Sequence, residues 1–197
     1  MLPAHLNPFR TSRLEELPYR FPPGWTVERL LGRLEALGGR GAVVGPHGSG
    51  KSSLIRELAR ELHRRGFSVT LARNAGELLP GGPGTRGSRF GPGDAVLLDV
   101  AGTARPMERR RMLRAVRRAG IVVITAHRPG PLPTLIETAA SAELLLWIVA
   151  RLHPPWARTP LPRLARLLER YQGDLHRTLL HLYDTARRTP AGGPLSP

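Results

Sequence analysis

The 197-residue sequence contains no cysteine, a single lysine and only two asparagines. Without cysteine there are no disulfides, no thiolate metal sites and no thiol redox chemistry, and nothing suggests export. No apolar run approaches the roughly 20 residues needed to span a bilayer; the longest, Leu144 to Ala150, has seven. The first 24 residues mix Pro, Arg, Glu and aromatics with no apolar leader stretch, so a soluble, cytoplasmic protein is expected. Acidic residues are also scarce, 15 against 30 basic ones, giving a formal charge of +15. Such a charge suits nucleic acid, an anionic surface or an acidic partner. Yet 29 of the 30 basic residues are Arg, and Ala, Gly and Pro abound, which is the residue usage of a GC-rich genome. The basic bias is therefore read mainly as background. The length allows one well-buried domain with at most a small appendage.

What is present is organised by proline, glycine and apolar spacing. Residues 1–23 read as an extended arm packed over a domain, with P-F-R at Pro8 to Arg10 and P-Y-R-F-P-P at Pro18 to Pro23. Thr26 caps a predicted helix through Leu37, with Val27, Leu30, Leu31, Leu34 and Leu37 at helical spacing and Gly38-Gly39 as the stop. Ala42-Val43-Val44 is a short strand, Ser52 to Arg65 an amphipathic helix ended by Gly66, and Phe67 to Ala72 a second strand, together a βαβ unit. Residues 74–93 form a long Gly- and Pro-rich loop. Ala95 to Val100 and Ile121 to Thr125 read as buried strands, and Arg105 to Ala119 as a very basic helix. Glu143 to Val149 fits a last strand or a helix. Two helices follow Pro154-Pro155, Leu161 to Tyr171 and Asp174 to Arg187. The expected organisation is an arm (1–24), a core (25–153), a lid-like helical segment (154–188) and a tail (189–197).

Gly45-Pro46-His47-Gly48-Ser49-Gly50-Lys51-Ser52 fits G-x-x-x-x-G-K-[ST] at every fixed position, the phosphate-binding P-loop. Glycines permit positive φ and let amides approach phosphate oxygens without an intervening Cβ. The turned amides make an anion nest at the N-terminus of the next helix, whose dipole favours negative charge. The only lysine falls where an ammonium would meet the β and γ phosphates. The Ser52 hydroxyl would ligand Mg²⁺, with Ser53 completing the nucleotide-binding segment. Ala95-Val96-Leu97-Leu98-Asp99 is an apolar strand ending in an acid, the form of a Walker B element, expected beside the P-loop strand with Asp99 holding Mg²⁺ through water.

With these elements the chain resembles the P-loop NTPase superfamily, most closely the AAA-type and related ATPases that insert a strand between the Walker A and Walker B strands. Phe67 to Ala72 would be that insertion. The resemblance covers about Gly41 to Arg187 and is specific only in the P-loop. It implies an α/β fold of three layers, a mainly parallel central sheet, a small C-terminal helical lid, and ATP hydrolysis with Mg²⁺. It gives catalytic roles to Lys51, Asp99 and Thr125, the last as γ-phosphate sensor, with His127 as an alternative. Tyr171 to Leu179 resembles a lid helix of the pattern G-[DN]-x-R. His176 holds the arginine position and Arg177 follows, so Arg177 is the candidate nucleotide contact; a helix capped by Asp174 explains the same letters. Val100 follows Asp99 where many such ATPases carry Glu, and neither Glu108 nor Glu137 has the expected position. Slow or partner-dependent hydrolysis is the expectation.

Three other readings compete. Asp99-Val100-Ala101-Gly102 matches the GTPase element D-x-x-G, but N-K-x-D cannot occur, since Lys51 is the sole lysine and Asn7 and Asn74 are the only asparagines. A small-molecule kinase would use Arg86, Arg89 or the Arg105–Arg118 segment as a lid. A switch would bind ATP without turnover, order the 74–93 loop and dock a partner, with Arg128 of a neighbouring copy as an arginine finger. Arg109, Arg110, Arg111, Arg114, Arg117 and Arg118 put six charges in ten residues, with Met112, Leu113 and Val116 facing the core. A solvated face accounts for them; the sharper alternative is a nucleic acid or acidic protein partner, although no aromatic-rich or zinc-finger motif accompanies them.

Overall fold

The computed structural model describes residues 3–74, 77–78, 90–100 and 104–188. In chain order the elements are α1 (Thr11–Glu16), α2 (Val27–Ala36), β1 (Arg40–Val44), α3 (Lys51–Arg64), β2 (Ser68–Ala72), β3 (Asp94–Leu98), α4 (Pro106–Ala115), β4 (Ile121–Ala126), β5 (Thr134–Glu137), α5 (Ala142–Leu152), α6 (Leu161–Arg170) and α7 (Leu175–Arg188). They form two compact units. Phe21–Gly45 and Lys51–Thr138 make an α/β unit; Met1–Arg20, Pro46–Gly50 and Ala139–Pro197 make a helical one.

The α/β unit holds a five-stranded sheet in the order β2-β3-β4-β1-β5, parallel throughout. Strands buried on both faces read as apolar runs without alternation, which is why Ala42 to Val44, Ala95 to Leu98 and Val122 to Ile124 are legible as strands. One face packs Ala42, Val44, Val96, Leu98, Val122 and Ile124 against Met112 of α4 and Val116, which follows it. Side chains alternate across a strand. The strands also touch α2 and α3, whose buried leucines are absent from that cluster, so these helices cover the opposite face. Helices on both faces of a parallel sheet are compatible with a three-layer α/β form.

Two expectations are corrected. The Asp99 strand does not lie beside the P-loop strand, and the inserted strand is β4, not Phe67 to Ala72, which forms the edge strand β2. Local periodicity marks strands but carries no information on which lie adjacent. Glu143 to Val149, which fitted either a strand or a helix, is helical: Ser141 accepts a hydrogen bond from the Leu144 amide at 3.1 Å and caps α5. The fifth strand is instead β5, four residues after a proline-broken stretch, too short to stand out.

At the end of α2, Gly38 and Gly39 adopt φ of +67° and +75°, the left-handed C-terminal cap of a helix. Open space surrounds the position of a Cβ on Gly38, whereas one on Gly39 would collide with the Gly120 carbonyl.

In the helical unit Phe9, Leu145, Val149, Trp156, Leu164, Leu182 and Ala186 form the core. The arm belongs to it. Asn7 is fully buried; its side-chain amide donates to the Tyr183 carbonyl at 2.8 Å and its oxygen accepts from the Phe9 amide at 2.9 Å. The arm is not extended throughout: a 3₁₀ turn (Ala4–Leu6) and α1 interrupt it. The His153 ring packs 4.4 Å from Trp156 and 6.3 Å from Phe9, and burial holds its pKa below that of a free imidazole.

Two predictions follow from this packing. Gly38→Ala meets only the left-handed backbone cost, about 1–2 kcal/mol, whereas Gly39→Ala adds a backbone collision and is expected to lose more in urea unfolding; equal losses would mean that residues 39 and 120 do not approach. The depressed pKa of His153 makes the unfolded chain take the proton first. Stability is therefore complete above about pH 6.5 and falls as pH drops towards the folded value. Unfolding midpoints of wild type and His153→Phe should diverge between neutral and mildly acidic pH, and parallel pH profiles would contradict the assignment.

Candidate functional site

The segment after β1 is built by glycine and one lysine. Gly48 and Gly50 have φ of +69° and +88°, conformations that only glycine adopts without strain. Lys51 opens α3 and is 6% exposed; its ammonium donates to the Gly45 carbonyl at 2.8 Å. A buried ammonium is costly without such an acceptor, so this bond ties the start of α3 to the end of β1. Ser49 is buried, while Pro46, His47, Ser52 and Ser53 are exposed. The Ser53 hydroxyl accepts from Arg56 at 3.4 Å, and Ser52 stands on the first turn of α3.

In a parallel sheet the carboxyl ends of the strands share one edge, where ligands bind in open α/β folds. Leu98 pairs with Ile124, and Val43 with Thr125. The next residue of the β3 chain, Asp99, thus comes level with Thr125 on β4, which is level with the end of β1. The fully buried Thr125 donates its hydroxyl to the Asp99 carboxylate at 3.1 Å. The Asp99 amide in turn donates to the Ala72 carbonyl at 2.8 Å. His127 Nδ1 lies 3.3 Å from the Gly45 carbonyl oxygen, so its ring approaches the atom that Lys51 holds. Strand register therefore brings Asp99, Thr125 and His127 to one edge with Gly45 and Lys51.

Val100 is 3% exposed and belongs to the apolar cluster around Met112 and Val116. The position after Asp99 thus points into the core. Glu108 lies in the first turn of α4, and Glu137 ends β5, exposed and in register with Val44.

Within the helical unit, residues 46–50 meet side chains that sequence reasoning left unassigned. A Cβ on Gly48 would collide with the Asp174 carboxylate. Asp174 also caps α7, accepting from the Arg177 amide at 3.0 Å. Asp174, legible in sequence only as a cap, is thus the α7-capping residue that lies against the glycine loop. The Arg177 and His176 side chains are exposed. Tyr19 comes within 3.7 Å of the place of a Cβ on Gly50, and burial pushes its phenol up to about 12. Nothing in the P-Y-R-F-P-P letters marks Tyr19 as a neighbour of Gly50, because the approach joins residues 31 positions apart in the chain. Gly102 of D-x-x-G, Arg86, Arg89 and most of the 74–93 loop lie outside the described residues.

No protein-family model and no curated protein matches the chain.

The Gly48–Asp174 approach is testable by a double-mutant cycle. Gly48→Ala should destabilise by more than Asp174→Ala, whose lost cap costs about 1 kcal/mol. The double variant should be less damaged than the sum of the two, because the collision is gone. Additive losses would show that the carboxylate does not abut the loop.

Proposed function

We propose that the chain is a P-loop ATPase of three-layer α/β form that binds ATP with Mg²⁺. The observation that carries this reading is the segment joining β1 to α3, with two left-handed glycines and the buried ammonium of Lys51 on the Gly45 carbonyl. Such a loop at the head of a 14-residue helix suits an anion: its amides and the helix dipole attract phosphate, and Lys51 can exchange the carbonyl for phosphate oxygens. Asp99 and Ser52 would hold Mg²⁺. Among the described residues no group of three or more His, Asp or Glu could hold a metal alone. One carboxylate and one hydroxyl fit a cation that keeps waters and shares phosphate oxygens, as Mg²⁺ does in nucleotide sites. When bound, Mg²⁺ neutralises charge on the phosphates.

Thr125 orients the Asp99 carboxylate through its hydroxyl, which supports its reading as the residue that reports on the γ-phosphate. A nucleotide contact from Arg177 belongs to the same proposal. ATP is favoured over GTP because N-K-x-D cannot be formed. A cytoplasmic location is also proposed; among the described residues no helix is long and apolar enough to cross a membrane.

Burial of Val100 favours slow turnover, since no acid can orient water from that position. The same observation supports a second reading, a switch that binds ATP without consuming it.

Calorimetric titration of Mg·ATP and Mg·GTP into wild type and Lys51→Ala, with phosphate release followed on the same samples, tests both. ATP binding should be saturable and tighter than GTP binding. The Lys51→Ala variant should lose about 1.5–3 kcal/mol, the worth of a charged hydrogen bond, or roughly ten- to a hundredfold in affinity. Slow release would identify the ATPase, and binding with no release the switch. Folded wild type that binds neither nucleotide would end the proposal.

A further inference from the structure

The arginines of α4 are not explained by nucleotide binding. Arg110, Arg111, Arg114, Arg117 and Arg118 are exposed, and their guanidiniums have no hydrogen-bond or ion-pair partner among the described residues. The protein does neutralise arginines elsewhere. On α3, Arg60 pairs with Glu57 and Arg64 with Glu61, which also takes Arg65 just after the helix. A compositional bias alone would treat both helices alike. Nor do these arginines hold the turn after α4, whose Arg117 and Ala119 carbonyls accept from Arg40 at 2.7 and 3.2 Å. Arg110 and Arg114 stand as like-charge neighbours at i,i+4 on α4, an arrangement that weakens a helix. An unneutralised, self-repelling strip of this kind is suited to a polyanion.

At about 100° per residue, Arg110 and Arg114 lie opposite the buried Met112, with Arg109 on one flank and Arg111 on the other. Cations on the crest and both flanks fit a helix lying between two rows of phosphates. We infer that α4 and the turn after it bind the phosphate backbone of double-stranded DNA, with α4 in the major groove. That groove is about 12 Å wide and admits an α-helix. The A-form groove of RNA is too deep and narrow for side chains to read, and single strands call for aromatic stacking platforms, of which residues 104–119 contain none. The contacts inferred are to phosphates, which carry no sequence information, so this binding is independent of sequence. The surface is separate from the proposed nucleotide chemistry and does not depend on it.

The test is fluorescence anisotropy of the full chain with a mixed-sequence duplex of about two helical turns, at salt between about 50 and 200 mM. Log affinity should fall against log salt with a slope between about −3 and −5, near −0.9 per phosphate neutralised. Arg110→Gln/Arg111→Gln/Arg114→Gln should bind at least tenfold more weakly, with a slope shallower by about 2.7. Its thermal midpoint should not fall, because these side chains are exposed; if it does, Arg114→Gln alone carries the test with a slope change near 0.9. Several results would overturn the inference: no duplex binding at the lowest salt, equal binding by the variant, or tighter binding of single-stranded DNA, double-stranded RNA or polyglutamate.

Discussion

The bond from the Lys51 ammonium to the Gly45 carbonyl links the end of β1 to the start of α3, and the local architecture follows from it. A lysine this deep is tolerable only while an oxygen faces it. That requirement fixes the turn between strand and helix, and the left-handed glycines inside the turn make it possible. Parallel pairing then does the rest. Because β4 separates β1 from β3, one residue on β4, Thr125, spans the distance between the glycine loop strand and Asp99. Register brings groups at the ends of three strands level: the Asp99 carboxylate, the Thr125 hydroxyl and the Gly45 end of β1.

What could be read from the letters was what short-range physics decides. The Thr26 cap, the Gly38-Gly39 stop, the apolar face of α3 and the doubly buried strands each depend on a few neighbouring residues. The glycine loop was legible for the same reason, since its chemistry is contained in eight consecutive positions. Strand order was not, because adjacency in a parallel sheet is settled by crossovers between distant segments. The apolar run after Ser141 fitted either period, and a single hydroxyl at its start decides for helix. Asp174 shows a further limit. Its capping role is local, whereas its approach to Gly48 joins residues 126 positions apart.

Arginine content carries a similar lesson. Composition alone made the charge look like genomic background, and along α3 two acids, Glu57 and Glu61, answer Arg60, Arg64 and the following Arg65. On α4 the acids are missing, Glu108 aside. Charge counts average over such differences, whereas pairing exposes them.

The packing of Val100 bears on what this chain could become. Its side chain is part of the layer between sheet and α4, with Leu98, Met112 and Val116. A carboxylate grafted there would have to be dehydrated among hydrocarbon side chains, with its proton retained or the layer pried open. A single codon change therefore cannot convert this strand end into a water-activating one; the backbone after Asp99 would first have to be re-routed. If the chain hydrolyses ATP as proposed, its core bounds the rate, and a lineage or a designer seeking faster chemistry would need to recruit an acid from another surface or another molecule.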